Sequence, residues 1–352
     1  MHKDGTVQGG IPKVFPIEDV GIKGGTSRIM TIGDPHISDR YSGRHVDYFR
    51  DCVEWLDQVT EMIIKHKVTH LIVTGDWVGR LTEKNLQLRE TLLYMIKVLQ
   101  KWNELTNGNV YSITGNHDMS EKLTDYQVFV SLGLIKTGLD IDVNSVRFHL
   151  MDYGDHKRKL NIDESKYNVA VMHTELHVEG QTNWIFRSKE GVMLSSLDNL
   201  EGVKFVIAGH IHTPSEKTAV TSINGKDISL FYPGNGTRPS YDKNIWTHSY
   251  GVLFEADDEG ADLQLVTFEL RPPAEIFQRV MDDIEIEEEA EEQSNNTSFN
   301  LDELSDILKQ LTEYNLMGDG SYKEQITKLG GLDESAVALA LDYIEQVEGE
   351  LK

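Results

Sequence analysis

The chain has a single cysteine, Cys52, among its 352 residues. It can form no internal disulfide, and one thiol fits a reducing compartment. It lacks an apolar run approaching the roughly 20 residues that cross a bilayer, and its start lacks the basic-then-apolar pattern of a secretory signal. We expect a soluble, cytoplasmic protein with no membrane partner. Positive charge is also scarce: 34 Lys and Arg face 58 Asp and Glu, a formal net charge of -24. Such a deficit argues against gripping nucleic acid through clustered basic side chains. Its distribution changes that reading. Residues 282–352 hold 20 acidic and 4 basic side chains, a net of -16, which leaves -8 on residues 1–281. Bound metal cations would offset part of that remainder, so composition neither excludes a nucleic-acid substrate nor supports one.

At this length we expect one large core of about 250 residues and something smaller. The hydrophobic fraction of 39% can fill such a core. Residues 1–27, Gly-rich and without helical or strand period, read as an extended arm. From residue 28 onward strands and helices alternate. Arg28 to Ile32, His70 to Thr74 and the run at Val110 read as strands. Between them, His45 to Lys65 and Leu86 to Trp102 carry apolar residues near a 3.6-residue period. This order predicts an α/β layer architecture with parallel pairing. Tyr126 to Leu134 reads as a short helix, Val143 to Met151 and Asn168 to Met172 as strands, and Met193 to Leu200 as a helix before the strand Lys204 to Ala208. Ala219 to Ile223, Ile228 to Tyr232, Tyr250 to Glu255 and Leu263 to Leu270 read as antiparallel strands. The catalytic unit therefore spans 28–281, an acidic linker 282–298, and a three-helix unit 299–352. In the last, Asn300 with Glu303 forms a capping box and Phe299 with Leu304 a staple. So small a unit buries little alone and needs a partner surface or docking on the core to be stable.

Chemistry concentrates where the strands end. Gly115-Asn116-His117-Asp118 follows Val110 to Ile113, and four comparable junctions place Asp34 and His36, Asp76, His173, and His210 and His212 directly behind apolar runs. Ligands bind at strand ends in open α/β folds, and we expect all of these residues at one edge of one sheet. Carboxylates, imidazoles and an amide oxygen suit two divalent ions, Mn first, with Fe or Zn as alternatives. A carboxylate is the natural bridge between them, and we assign it to Asp76. Two ions lower the pKa of a bridging water and neutralise a phosphoryl group, so that hydroxide attacks phosphorus in line. His117, next to a ligand but not needed as one, can protonate a leaving alkoxide, with Asp118 orienting its ring by accepting an N–H. Trp184, Phe186 and Arg187 could stack on and pair with a nucleic-acid strand; a loop covering the core is the plainer alternative. The other histidines, among them His177, show no ligand spacing.

The ordered series Asp-x-His, Gly-Asp, Gly-Asn-His-Asp, His, Gly-His-x-His resembles that of the calcineurin-like metallophosphoesterases. The resemblance implies a two-layer αββα sandwich. One ion would sit on Asp34, His36, Asp76 and His212, and a second on Asp76, Asn116, His173 and His210, with His117 as proton donor. Within that group, Gly-Asn-His-Asp, the segment Leu197 to Pro214, and Tyr232-Pro233-Gly234-Asn235 followed by Arg238 are similar to the SbcD-type nucleases of DNA repair. Those act with a coiled-coil ATPase of the SbcC type, which implies residues 299–352 as its docking element and Arg238 as a substrate contact. Arg80 stands where protein-phosphatase-like relatives place an arginine, which implies a phosphate grip. The readings left open are a DNA exo- or endonuclease, a phosphodiesterase or phosphatase for small nucleotides or phosphoproteins, and a metal-stabilised binding module. A homodimer is compatible with each.

Overall fold

In the computed structural model, residues 16–38, 48–78, 89–119, 124–179, 191–238 and 246–277 are described. The acidic linker and the three-helix unit lie outside them, as do Arg80, Trp184, Phe186 and Arg187. The chain divides into units Met1–Met281 and Asp282–Lys352, and all described residues belong to the first.

The strands and helices follow in the order β1 (Ile17–Asp19), β2 (Ser27–Ile32), α1 (Tyr48–His66), β3 (His70–Val73), α2 (Arg89–Thr106), β4 (Val110–Ser112), α3 (Asp125–Ser131), β5 (Asp140–Val143), β6 (Val146–Met151), β7 (Tyr167–His173), β8 (Leu176–His177), β9 (Val192–Met193), β10 (Phe205–Gly209), β11 (Ala219–Ile223), β12 (Lys226–Phe231), β13 (His248–Ala256) and β14 (Ala261–Glu269). They build a five-stranded sheet ordered β14-β13-β2-β3-β4 and a seven-stranded sheet ordered β1-β5-β6-β7-β10-β12-β11. In the inner strands β3 and β10 every residue is buried, so those runs are nearly continuous apolar stretches rather than alternating ones. Ile29, Ile72, Tyr111, Val252 and Phe254 of one sheet meet Phe148, Val169, Val171, Phe205 and Ile207 of the other in a shared core, with the rings of Phe148 and Phe254 5.4 Å apart.

Helix α1 lies on the outer face of the five-stranded sheet. Its 3.6-residue repeat turns Cys52, Trp55, Leu56, Val59 and Ile63 inward against Met30, Leu71 and Val73, joined by Met95, Leu99 and Trp102 of α2. The short α3 starts on a capping box, in which Thr124 accepts from the Gln127 N–H while the Gln127 side chain accepts from the Thr124 N–H. The outer face of the seven-stranded sheet is covered by Leu194, Leu197 and Leu200, packed on Ala170, Met172 and Val206.

Three expectations need correction. Met193 to Leu200 forms no α-helix but β9 and two 3-10 turns, Leu194–Ser196 and Asp198–Leu200, because Leu197, at a ψ of 76°, leaves the helical region and breaks the run. Part of the N-terminal arm is strand, since β1 pairs in parallel with β5. β12 runs parallel to β10 and only its partner β11 is antiparallel. In β6 all six residues are buried. Val146, Phe148 and Leu150 enter the inter-sheet core. Arg147 and His149 instead enter a polar network, in which Arg147 donates to both oxygens of Asp142 and His149 pairs with Asp140 and Asn168.

Candidate metal centre

The junction residues come from both sheets rather than one. β2, β3 and β4 deliver Asp34 and His36, Asp76, and Asn116 to Asp118; β7 and β10 of the facing sheet deliver His173, and His210 with His212. The expectation of a single sheet edge is corrected to a cleft where the C-terminal ends of two parallel strand sets meet. The loops after β2 and β3 run side by side, with the N–H of His36 donating to Asp76 O at 2.9 Å and that of Ile37 to Trp77 O at 2.9 Å. Three of the ligand candidates, His36, Asp76 and His210, hold left-handed backbone at φ 46°, 51° and 80°. Non-glycine residues adopt that region at a cost and chiefly where surrounding structure demands it.

Hydrogen bonds from neighbouring loops fix Asp34, Asp76 and His173. Asp34 accepts from the Thr74 hydroxyl at 2.6 Å and the His210 N–H at 2.7 Å. Asp76 accepts the His117 N–H on Oδ1 at 2.8 Å. Its Oδ2 lies 3.4 Å from His36 Nε2 and 3.2 Å from His173 Nε2, between the two expected ligand sets. His173 Nδ1 lies 2.7 Å from Thr74 O, which fixes the proton on that nitrogen because a carbonyl can only accept. Nε2 therefore faces Asn116 Oδ1 at 3.0 Å and Asp76 Oδ2, and His210 Nδ1 lies 3.0 Å from the same amide oxygen. A histidine that donates one N–H to a carbonyl while turning its other nitrogen into a cluster of acceptors is the arrangement of a metal ligand.

The acid–base balance points the same way. Burial alone would lower His173, but the Asp76 and Asp34 carboxylates prevail and raise it to about 9: without a cation, a proton satisfies the converging acceptors. Burial pushes Asp34 up to about 7 against the pull of His173. Burial also works to raise Asp76, but His173 beside it holds that carboxyl well below the usual range. His36 is held well below the ordinary imidazole value by burial, and His212 is brought down to about 4 for the same reason, so both are neutral and ready to coordinate at pH 7. Neither ring nitrogen of the buried His36 has a hydrogen-bond partner among the described residues. Asp34, His36 and His212 offer ligand atoms within 4.8 Å of one another, as do Asp34, Asp76 and His173, and His36, Asp76 and His117. The donor set fits divalent cations.

A profile described as calcineurin-like phosphoesterase matches residues 27–214, more than half of the chain. The chain belongs to the calcineurin-like phosphoesterases. It is a metal-dependent hydrolase acting on phosphate ester bonds, and its family uses a dinuclear metal centre. No curated protein sequence matches it. Among solved structures it is similar to a single mutant of Vps29 from Entamoeba histolytica, with 16% identity, TM-score 0.31, and 69% of this chain and 99% of that one covered. It is also similar to a dimetal phosphatase from Danio rerio, with 10% identity, TM-score 0.41 and coverages of 70% and 99%. A third is the phosphoesterase Yfce from E. coli, with 14% identity, TM-score 0.34 and coverages of 69% and 100%.

Other expected residues of this phosphoesterase fall elsewhere. Asp118 does not serve as expected: its carboxylate accepts the backbone N–H groups of Asp76 at 2.7 Å, Trp77 at 2.9 Å and Gly115 at 3.0 Å. Its task is to hold the loop that presents Asp76. Burial, with Asp76 adding to it, pushes the Asp118 carboxyl up to about 8. Arg238 is buried and donates to the carbonyls of Trp246, at 2.7 Å, and Arg271; a guanidinium spent on backbone acceptors ties two loops together rather than gripping substrate. His177 pairs with Glu175 at 3.0 Å. Sequence reasoning missed Thr74, which holds both Asp34 and His173. It also missed the buried Thr237, which donates to Pro35 O at 2.6 Å and touches Tyr48, whose hydroxyl donates to His36 O at 2.9 Å. The only signal for Thr74 was its place directly before Gly75-Asp76.

Proposed function

We propose that this phosphoesterase is a two-metal phosphodiesterase that cleaves DNA, with Mn as its ion and residues 299–352 docking on a coiled-coil ATPase. The observation that carries the metal-dependent chemistry is the convergence of Asp76 Oδ2, His173 Nε2, Asn116 Oδ1 and His210 Nδ1, each within 3.2 Å of the next. Asp34, His36, Asp76 and His212 would hold one ion, and Asp76, Asn116, His173 and His210 the other. Bound there, the ions supply an ionised water and neutralise the charge of the phosphoryl group.

The chain's own residues do the rest. Thr74 and the His210 N–H fix Asp34, and the His117 N–H fixes Asp76 Oδ1 so that Oδ2 faces both sets. The His117 ring, half-buried and 4.8 Å from that of His36, protonates the leaving alkoxide. The choice of DNA is supported by the likeness of Gly115 to Asp118, Leu197 to Pro214 and Tyr232 to Asn235 to the SbcD-type nucleases. Labelled single- and double-stranded DNA, incubated with Mn and then with chelator beside bis-p-nitrophenyl phosphate, tests the proposal. Chelator-sensitive DNA cleavage is expected. Hydrolysis of the small diester with DNA untouched would move the assignment to a small-nucleotide phosphodiesterase.

A further inference from the structure

The rings around the centre fall into two groups. His117 lies 4.8 Å from His36, and His36 4.7 Å from His212. In the other group His173 and His210 are 5.2 Å apart, and the ring of Tyr153 sits 6.1 Å from each. Asp34, His36, Asp76 and His173 are buried, whereas Asn116, His117, His210, His212 and Tyr153 are half-buried, so these five make the accessible face. Tyr153 is held there by its backbone. Its N–H donates to Thr114 O at 2.8 Å, and the Thr114 N–H donates to Asp152 at 2.7 Å, which ties Tyr153 to the strand end that presents Asn116. Its hydroxyl makes no hydrogen bond with any described residue. A tyrosine kept for packing commits its hydroxyl; this one, half-buried, commits it to no described residue.

Building on the phosphodiesterase reading above, we propose that Tyr153 is a specificity-determining residue. Its ring packs on the planar substituent that stays on phosphorus, a nucleobase or an aryl group, beside His173 and His210. Stacking of this kind tolerates any flat ring, and a phosphomonoester offers nothing to it. The centre then prefers nucleoside or aryl diesters to monoesters because of Tyr153.

The test is kcat/KM of the full chain with Mn on bis-p-nitrophenyl phosphate and p-nitrophenyl phosphate, for wild type, Tyr153→Ala, Tyr153→Phe and Tyr153→Leu. The diester-to-monoester ratio should fall about tenfold in Tyr153→Ala and in Tyr153→Leu, and stay within about twofold of wild type in Tyr153→Phe. The leucine variant keeps the bulk beside His173 and His210 and asks the same question if the alanine variant folds poorly. An unchanged ratio, or an equal fall on both substrates, would overturn the proposal, the second by showing that Tyr153 only props the imidazoles. Where monoester turnover is below detection, the loss on the diester should fall on KM; a loss on kcat overturns it. Wild-type protein that leaves the diester intact would instead defeat the phosphodiesterase reading, before any variant is compared.

Discussion

His173 holds a proton that a metal ion must displace. With the imidazole raised to about 9 and Asp34 to about 7, the metal-free protein at pH 7 carries the first proton fully and the second in part. Metal affinity should therefore climb about tenfold per pH unit below pH 9, and more steeply below pH 7. Calorimetry at pH 7 in buffers of different ionisation enthalpy should show one to two protons released on loading, and none released would contradict the assignment. His212, held at about 4 against an ordinary 6.5, acts oppositely on stability. Between those values the unfolded chain binds the proton and the folded one does not, so the metal-free fold loses stability as pH falls through that window. His117→Ala should cut turnover by about 10²- to 10⁴-fold with metal content unchanged; metal lost together with activity would make it a ligand beside His36 and Asp76. Residue types behind apolar runs pointed to the residues that the structure brings together. Asp118 was misread because its partners, the N–H groups of Asp76 and Trp77, are neighbours only in space. Arg238 was misread because charge suggests phosphate while burial decides otherwise.

At the scale of elements, loops set at van der Waals contact position the centre. A Cβ on Gly115 would lie 2.0 Å from Asp76 Oδ1 and 2.5 Å from its backbone N, so Gly115→Ala must push the Asp76 carboxylate aside. We expect more than a hundredfold loss of activity with near-native circular dichroism and less than full metal content. Full content with full activity would refute the close approach. Thr237→Val removes the donor to Pro35 O and the contact with Tyr48. It should cost about 1–3 kcal/mol in denaturant unfolding, with metal dissociating faster. The two long helices and most strands were readable because their periods run through many residues. The stretch 193–200 was not, since eight residues with Leu194, Leu197 and Leu200 inward fit a helix and two 3-10 turns alike. Nor could the sequence tell that β12 lies parallel to β10, because pairing partners are chosen by tertiary contact.

On the scale of the whole molecule, charge and chemistry separate along the chain. The net of -16 on residues 282–352 lies beyond the family match at 27–214, and none of the ligand candidates falls in it. Removing residues 282–352 should leave hydrolysis of bis-p-nitrophenyl phosphate within about twofold of the full chain while abolishing capture of a coiled-coil ATPase; loss of hydrolysis would make the segment part of the enzyme. No described helix is long and apolar enough to cross a membrane. The central claim is that strand ends of two sheets assemble one two-ion phosphoesterase centre. The most direct measurement strips the protein with chelator, then titrates Mn while following bis-p-nitrophenyl phosphate hydrolysis and bound metal together. Activity returning in step with two ions per chain is the predicted result. Full hydrolysis in excess chelator, or saturation without bound metal, would contradict it.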